Sequence, residues 1–295
     1  MKIAYITYSG IGKYLPANNF NEIEDMLPLL QSKGFDITAA IWDDPTVDWT
    51  KYNVALLKTP WDYHFKYEEF KNWLNKIEAI GIKLLNDFNM VRWNMDKHYL
   101  KEISSAGFDV IPSFFIDKGW NGELLLFFNA LQTEQLIIKP CVSAGSKNTI
   151  ILHKDNCLRE KSVVSSLVAE SDYIIQPLMP QIQDGEWSFI FFNGRYSHTI
   201  IKKPKAGDFR VQQHFGGTII PVHPKQKYVD RAADYLRHFA KNAFYARVDG
   251  LMVKDEFVLM ELELIEPFLY LSYGKNAVEY YCNALQEQLK KLIKK

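Results

Sequence analysis

Charge imbalance is missing from this chain. Its 295 residues hold 35 basic and 35 acidic side chains, so no surplus of either sign calls for nucleic acid, and no acidic tail is present. A local basic cleft is still compatible with a neutral total. Cysteine is scarce: Cys141, Cys157 and Cys282 are odd in number and far apart. That excludes a CxxC metal site and a disulfide framework, and it fits a reducing cytoplasm. No apolar run approaches the roughly 18–20 residues of a membrane span, so no membrane partner is expected. The opening MKIAYITYSG alternates as a strand does and is too short and polar for a signal peptide. Internal repeats and low-complexity tracts are also lacking. What is there, 47% hydrophobic and 24% charged residues, is the composition of an ordinary soluble globular protein. The length suits one large domain or two to three modest ones.

Up to about residue 88, strand and helix signals alternate. KIAYITY, FDITAAIW, NVALLKT and IKLLN read as strands, and NEIEDMLPLLQSKG and YEEFKNWLNKIEAIG as helices. This order predicts a parallel sheet covered by helices, with ligands beyond the strand carboxyl ends. The loops SGIGKY and TPWDYH hold those positions. Trp61, Asp62 and Tyr63 are therefore candidate substrate contacts, although Trp61 and Tyr63 also suit plain packing. Beyond residue 88 the pattern turns to α+β with antiparallel sheets. One helix covers WNMDKHYLKEISSAG. Strands follow at VIPSFFI, QLIIKP, TIILH, YIIQPLM, EWSFIFFNG and RYSHTIIKKP, then a loop KAGDFRVQQHFGGT. Helices near 160–169 and 226–243, a hairpin over 246–266 and a closing helix complete the chain.

The stretch LMELELIEP, Leu259 to Pro267, sets Glu261, Glu263 and Glu266 in an otherwise apolar run. Side chains alternate along a strand, so Glu261 and Glu263 point one way and Met260, Leu262 and Leu264 the other. Centring the turn on Asp255 sets Asp249 opposite Glu261 and Arg247 opposite Glu263, all on one face; a slip of one residue separates them. Carboxylates sharing a face repel unless a cation offsets them. Arg247 offsets one, and magnesium, a hard ion held by carboxylates and substrate phosphates, suits the rest. The pattern alone fits a solvated outer face equally well.

Lys97 falls in the first turn of the helix expected to begin near Asn94, where a cation opposes the helix dipole by on the order of 0.3–1 kcal/mol. An exposed lysine is the plainer account of it. Lys139 ends QLIIKP, an apolar strand with a charged tip, and the small-residue loop SAGSKNT follows. Small residues let backbone N–H groups approach phosphate oxygens, although neither this loop nor GIGKY is a Walker A sequence.

Taken in order, these pieces resemble the ATP-grasp superfamily over about residues 86–267, and the N-terminal part resembles the domain that precedes the ATP-grasp domain in that superfamily. NMDKHYL, IIKP, IIQPLMPQIQDGEWSFIFFNG, KKPKAGDFRVQ…GG and RVDG…MELELIEP are similar to bacterial glutathione synthetase. TPWDYH…EEFKNWL, LLN…RWNMDKHYL, SAGS, SHTIIKKPKAGDFRVQQHFGG and ARVDG…MELELIEP are closer to the cyclo-ligase group of the cycloserine pathway. The resemblance implies an ATP-grasp fold, α/β and α+β. Residues 1–88 would form the N-terminal parallel α/β domain, and 89–295 a lid near 107–178 with a catalytic part near 179–295. It implies an ADP-forming carboxylate–amine ligase acting through an acyl phosphate on a small amino acid-like substrate, with ATP and two magnesium ions. A cytoplasmic setting and a homo-oligomer are compatible with it. A small-molecule kinase and a non-catalytic ATP-binding protein are the alternatives on the same scaffold.

The resemblance also implies roles. Lys97 and Lys139 would contact the α- and β-phosphates, and the loop from Ser143, Ala144, Gly145 and Ser146 to Thr149 would close over them. Gln176, Pro177, Leu178 and Met179 would form the hinge that reads adenine, with Glu186 near the ribose. Arg210 and Arg247, with Lys139, would stabilise the transferring phosphoryl group. Asp249, Glu261 and Glu263 would hold magnesium; glutathione synthetase has asparagine where this chain has Glu263. Lys202, Lys203 and His214 would flank the reaction site, and Gly216 and Gly217 would offer an N–H to the tetrahedral oxyanion. Glu266, on the other parity, would face substrate or support a ligand.

Overall fold

The computed structural model describes residues 1–10, 21–145 and 148–294, without the side chain of His214. Its first sheet is all parallel. β1 (Ile3–Thr7), β2 (Ile37–Ile41), β3 (Val54–Leu57) and β4 (Lys83–Leu85) lie in the order β2-β1-β3-β4, linked in part by α1 (Met26–Ser32) and α2 (Tyr67–Ala79). β1 and β3 are buried on both faces, which is why IAYIT and VALL are almost wholly apolar. α2 turns Phe70, Trp73, Leu74 and Ile77 inward at helical spacing, where they pack with Trp42 and Trp49. The chain runs from β1 out to β2 and then crosses to β3 on the other side of β1. The topological switch therefore falls between the carboxyl ends of β1 and β3. Tyr8 follows β1 and Trp61 follows β3 at that point, as the two loops marked in the sequence predict. Residues 11–14 of SGIGKY lie outside the described residues.

The single helix expected over 93–107 is replaced by α3 (Phe88–Asn94) and α4 (Tyr99–Ser105). Asp87 caps α3 by accepting the Met90 N–H. Asp96 accepts the His98 N–H and turns the chain between them. Lys97 thus stands between helices rather than inside a first turn, and its backbone N–H donates to the Cys141 carbonyl.

The second sheet holds β5 (Phe114–Ile116), β6 (Gln135–Pro140), β7 (Ile150–His153) and β8 (Tyr173–Pro177) in the order β5-β8-β6-β7, antiparallel throughout. α5 (Leu125–Ala130) and α6 (Cys157–Val168) cover it through Phe128, Val164 and Val168 against Leu136 and Ile138.

The third sheet is also antiparallel. It contains β9 (Glu186–Phe192), β10 (Arg195–Lys203), β11 (Thr218–Val222), β12 (Tyr245–Val253) and β13 (Glu256–Glu263), in the order β11-β10-β9-β12-β13. α7 (Gln226–Phe239) sets Tyr228, Ala232 and Tyr235 against Phe189, Phe191 and Val248 on one face. α8 (Ala277–Ile293) lays Tyr281 and Leu285 against Ile190, Phe192 and Ile200 on the other, together with β1 and β3 of the first sheet. Among the described residues no helix is long and apolar enough to cross a membrane.

The β12–β13 hairpin departs from its expected turn and still keeps its expected register. Lys254 and Asp255 both have positive φ, 51° and 64°, which makes a two-residue turn rather than one centred on Asp255. That change alone would put Glu261 and Glu263 on the wrong face. A bulge at Met260, between the Gly250–Leu259 and Asp249–Glu261 pairs, restores the pairing of Asp249 with Glu261 and Arg247 with Glu263. Gly250 fits the bulge because an added Cβ would come within 2.3 Å of the Val258 carbonyl oxygen. The bulge also moves Met260 off the core face where alternation places it and packs it with Ile182, Val211 and Leu251.

Candidate active site

The loops after β1 and β3 join residues of the second and third sheets around one cavity of about 630 Å³. One face of the third sheet forms its charged floor. Glu186 on β9, Lys202 on β10, Arg247 and Asp249 on β12, and Glu261 and Glu263 on β13 share that face through the strand register. Lys202 Nζ lies 2.5 Å from Glu186 Oε1 and 2.9 Å from Asp249 Oδ2. Arg247 donates from Nε and Nη2 to Asp249, from Nη2 to Glu263, and from Nη1 to the Phe268 carbonyl.

Lys97 reaches this floor because the segment before it is fastened to β13. Asn94 acts as a strand neighbour would: its Nδ2 donates to the Leu262 carbonyl at 2.9 Å and its Oδ1 accepts the Leu264 N–H at 3.0 Å. Tyr99 accepts the Leu262 N–H on the same stretch. Held this way, Lys97 Nζ lies 3.1 Å from Glu261 Oε1 and 3.0 Å from the Ser143 carbonyl.

Burial and charge pull the carboxylates apart. Burial raises Asp249, but Arg247 and Lys202 outweigh it and hold the group below the usual carboxylate range. Burial likewise raises Glu261, and Lys97 and Lys139 bring it below its ordinary value. For Glu263, burial wins over Arg247, and with Asp249 and Glu261 adding repulsion its pKa rises to about 7. Burial, opposed by Lys202, takes Glu186 to about 7. Burial with repulsion from Glu263 and Glu261 takes Glu266 to about 8. Lys139 is pushed down, by burial first, and among the described residues it makes no ion pair.

The donor set Asp249, Glu261 and Glu263 consists of hard oxygens and suits magnesium. The three do not converge as they stand. The acid, histidine and cysteine groups whose ligand atoms gather within 4.8 Å, among the described residues, are Asp96–His98–Cys141 and His98–Asp117–Asp172. The carboxylates of the floor are instead spread among Lys97, Lys202 and Arg247.

Beside this floor lies an apolar slot of Ile111, Leu178, Met179, Ile182, Leu251 and Met260. The expected hinge, Gln176 to Met179, lines it. The Gln176 amide donates to Ser113 Oγ, and the Leu178 N–H to the Gln135 carbonyl. Ser143, Ala144 and Gly145 line the cavity, whereas Ser146 and Lys147 lie outside the described residues. Arg210 lines it too, paired with Asp208 and stacked 3.9 Å from the centroid of the Phe215 ring.

Other expectations need correction. Asp62 does not line the cavity; its carboxylate accepts from Trp42 Nε1 and Lys66 Nζ. Lys203 is exposed, because alternation along β10 turns it away when Lys202 points in. Gly216 and Gly217 spend their N–H groups on the Gln213 and Gln212 carbonyls and offer none to an oxyanion. Glu186, expected near the ribose, does line the cavity, where Lys202 binds it into the ion-pair floor. Trp61 and Tyr63 do line the cavity, and Tyr63 also packs on Phe70. Asn94 is absent from the sequence reading. Its signal is weak: an asparagine in an amphipathic stretch is buried only because β13 arrives beside it.

Comparison with known proteins bears on the family and the fold. Residues 3–86 match the family described as D-cycloserine synthetase DcsG, N-terminal domain, and residues 109–239 match prokaryotic glutathione synthetase, ATP-grasp domain. The cycloserine biosynthesis protein DcsG of Streptomyces lavendulae is 27% identical over 295 residues, covering 90% of this chain and 94% of that protein. Glutathione synthetase of Prochlorococcus marinus subsp. pastoris is 20% identical over 252 residues, covering 81% and 78%. Among solved structures, D-cycloserine synthetase DcsG superposes with a TM-score of 0.83 at 24% identity, covering 98% of this chain and 100% of that one. D-alanine–D-alanine ligase from Bacillus anthracis, complexed with ATP, gives 0.68 at 16% identity, covering 97% and 95%.

Proposed function

The chain belongs to the ATP-grasp superfamily of ADP-forming, ATP-dependent ligases, and from that premise we propose that it joins the carboxylate of a small amino acid-like substrate to an amine through an acyl phosphate. The observation that carries this reading is the convergence of Lys97, Lys139, Lys202 and Arg247 on one cavity between an apolar slot and a carboxylate floor.

Adenine suits the slot between Met179, Ile182 and Met260, where flat apolar contact is available. The phosphates then lie over Lys139, Lys97 and Lys202. Lys97 and Lys202 are buried and Lys139 is half-buried, so each acts in a setting of lowered dielectric where a cation is worth more than in water. Asp249, Glu261 and Glu263 would hold magnesium, two ions in this reading, which when bound supplies further neutralisation of phosphate charge.

A carboxylate oxygen of the substrate attacks the γ-phosphorus, and the bond from that phosphorus to the bridging oxygen of ADP breaks. Positioning and charge neutralisation do most of the work in such a transfer. The amine then attacks the acyl carbon, inorganic phosphate leaves, and the amine proton passes to solvent or to a cavity base. Arg247 and Arg210 are the remaining candidates to stabilise the oxyanion, since the Gly216 and Gly217 N–H groups are taken. Ser143 to Gly145, tied to Lys97 through the Ser143 carbonyl, is the segment that would keep water from the acyl phosphate.

Calorimetric titration with a non-hydrolysable ATP analogue, with and without magnesium, tests the nucleotide site. A screen for ADP release with carboxylates and amines tests the reaction. Magnesium-dependent binding followed by ADP release that needs both partners is expected. Absence of binding overturns the reading, and a stable phosphorylated product formed without amine would move it to a kinase.

A further inference from the structure

We propose that Glu266 is the receptor for an ammonium group of the substrate, set in an aromatic-walled part of the cavity, so that the enzyme selects carboxylates that also carry a positive amine. This rests on the ligase reading of the same cavity and specifies its substrate class.

Glu266 differs from every other carboxylate of the site. Glu261 has Lys97, Asp249 and Glu263 share Arg247, and Glu186 has Lys202. Among the described residues the Glu266 carboxylate has no ion pair and no hydrogen bond to another side chain, and it lines the cavity half-buried. A carboxylate that faces a cavity lined by other carboxylates, without a cation of its own, is repelled by its neighbours, and a site that keeps one is built for a cation that arrives with a ligand.

Its surroundings match one kind of cation. The Glu266 carbonyl accepts from Trp61 Nε1 at 3.1 Å, which fixes the indole beside it. Tyr8 lies 6.2 Å from that indole between ring centroids. Tyr63 lines the same cavity. Phe268, two residues on, also lines the cavity and meets Tyr270 edge-on at 5.0 Å. Ring faces and a carboxylate together favour a compact alkylammonium. An anionic group would be repelled from Glu266 and drawn to Arg247 and Lys139. A zwitterion is thereby oriented: ammonium at Glu266, reacting carboxylate toward the cations. Tyr8, Trp61 and Tyr63 come from the loops after β1 and β3, the ligand position of a parallel sheet.

The test compares wild type with Glu266→Gln, which keeps the shape and removes the charge. ADP release is measured with matched pairs of carboxylates that differ only in the amino group, such as alanine and propionate or serine and 3-hydroxypropionate, each with hydroxylamine as a general nucleophile. Wild type is expected to favour the amino member by about 100-fold, the size of a desolvated charge pair worth about 2.7 kcal/mol. Glu266→Gln should bring the ratio to within about tenfold of unity, with the affinity for the ATP analogue unchanged. Two results overturn the proposal: a wild type that uses desamino carboxylates equally well or responds to neither member, or a variant that keeps the full preference. The wild-type comparison stands even if the variant fails to fold. Loss of analogue binding in wild type would instead remove the ligase reading.

Discussion

Lys97 and Glu261 meet at 3.1 Å across the cavity floor, one from the turn between two short helices and the other from the edge strand β13. The Lys97 side chain is 8% exposed, and its other partner is the Ser143 carbonyl. Glu261 is therefore both a proposed metal ligand and the counter-ion of a proposed phosphate ligand. Glu261→Gln should lower ADP release by on the order of 10²–10³-fold. It should also cost about 1–3 kcal/mol of stability, because Lys97 loses its charged partner and keeps one backbone acceptor. A steady-state ADP assay and a urea melt on the same preparation check both; normal turnover would remove the carboxylate floor from the chemistry.

Lys139 leads to the opposite stability sign. Burial pushes its pKa down, and among the described residues it has no ion-pair partner. An ammonium held this way destabilises the ligand-free protein until phosphate arrives. Lys139→Met should weaken the ATP analogue by about 100-fold or more, while the melting temperature without nucleotide stays level or rises. A fall in melting temperature with affinity intact would place the lysine in the structure rather than in the site.

Much of this site was legible in the sequence because it depends on alternation. Two glutamates spaced two apart on an apolar strand, facing an arginine and an aspartate likewise spaced, can share one face in few ways. The register survived a wrong turn only because the Met260 bulge compensates for it, and bulges have no reliable local signature apart from a glycine such as Gly250. The choice between Lys202 and Lys203 also needed structure: adjacent lysines point to opposite faces, and only the β9–β10 register decides which points in. β11 was missed because Thr218–Val222 is an edge strand containing Pro221 with little of its surface buried, and a proline inside such a run argues against a strand. Asn94, Glu22 and Lys58 work through partners more than 30 residues away, and pattern within a segment cannot reveal those.

His198 gives a pH dependence with a defined sign. Its ring is buried, Nε2–H donates to the Leu269 and Tyr270 carbonyls at 3.1 Å, and Nδ1 accepts from Ser197 Oγ at 2.9 Å. Burial lowers its pKa below the ordinary value, against a smaller upward pull from those two carbonyls. The unfolded chain then binds a proton near pH 6.5 that the folded chain refuses. Stability from this residue is present above that pH and falls as pH drops through the unfolded value toward the lower folded one. Melts between pH 7.5 and pH 5.5 should show a decline that is smaller in His198→Gln, whose amide keeps a donor and does not titrate. An equal decline in both proteins would clear His198 of the effect.

Glu22 and Lys58 form a buried ion pair away from the cavity floor, and Glu22 also accepts the Leu269 N–H at 2.8 Å and the Leu271 N–H at 3.3 Å. The segment they hold is the one whose Phe268 carbonyl receives Arg247 and whose Tyr270 ring lies 5.6 Å from the Arg247 guanidinium. Glu22→Gln leaves Lys58 charged and buried, at a cost of about 3–5 kcal/mol. Lys58→Met alone leaves Glu22 with the two backbone donors and should cost less. Combining Glu22→Gln with Lys58→Met should recover most of the stability, because the stranded charge is gone, with a coupling of about 1–3 kcal/mol in the double-mutant cycle. Turnover should stay low in the double variant, since a neutral amide holds the 268–271 backbone less firmly and Arg247 is positioned through it. Additive stabilities would show that the pair is not coupled, and full turnover in the double variant would show that Arg247 does not depend on this clamp.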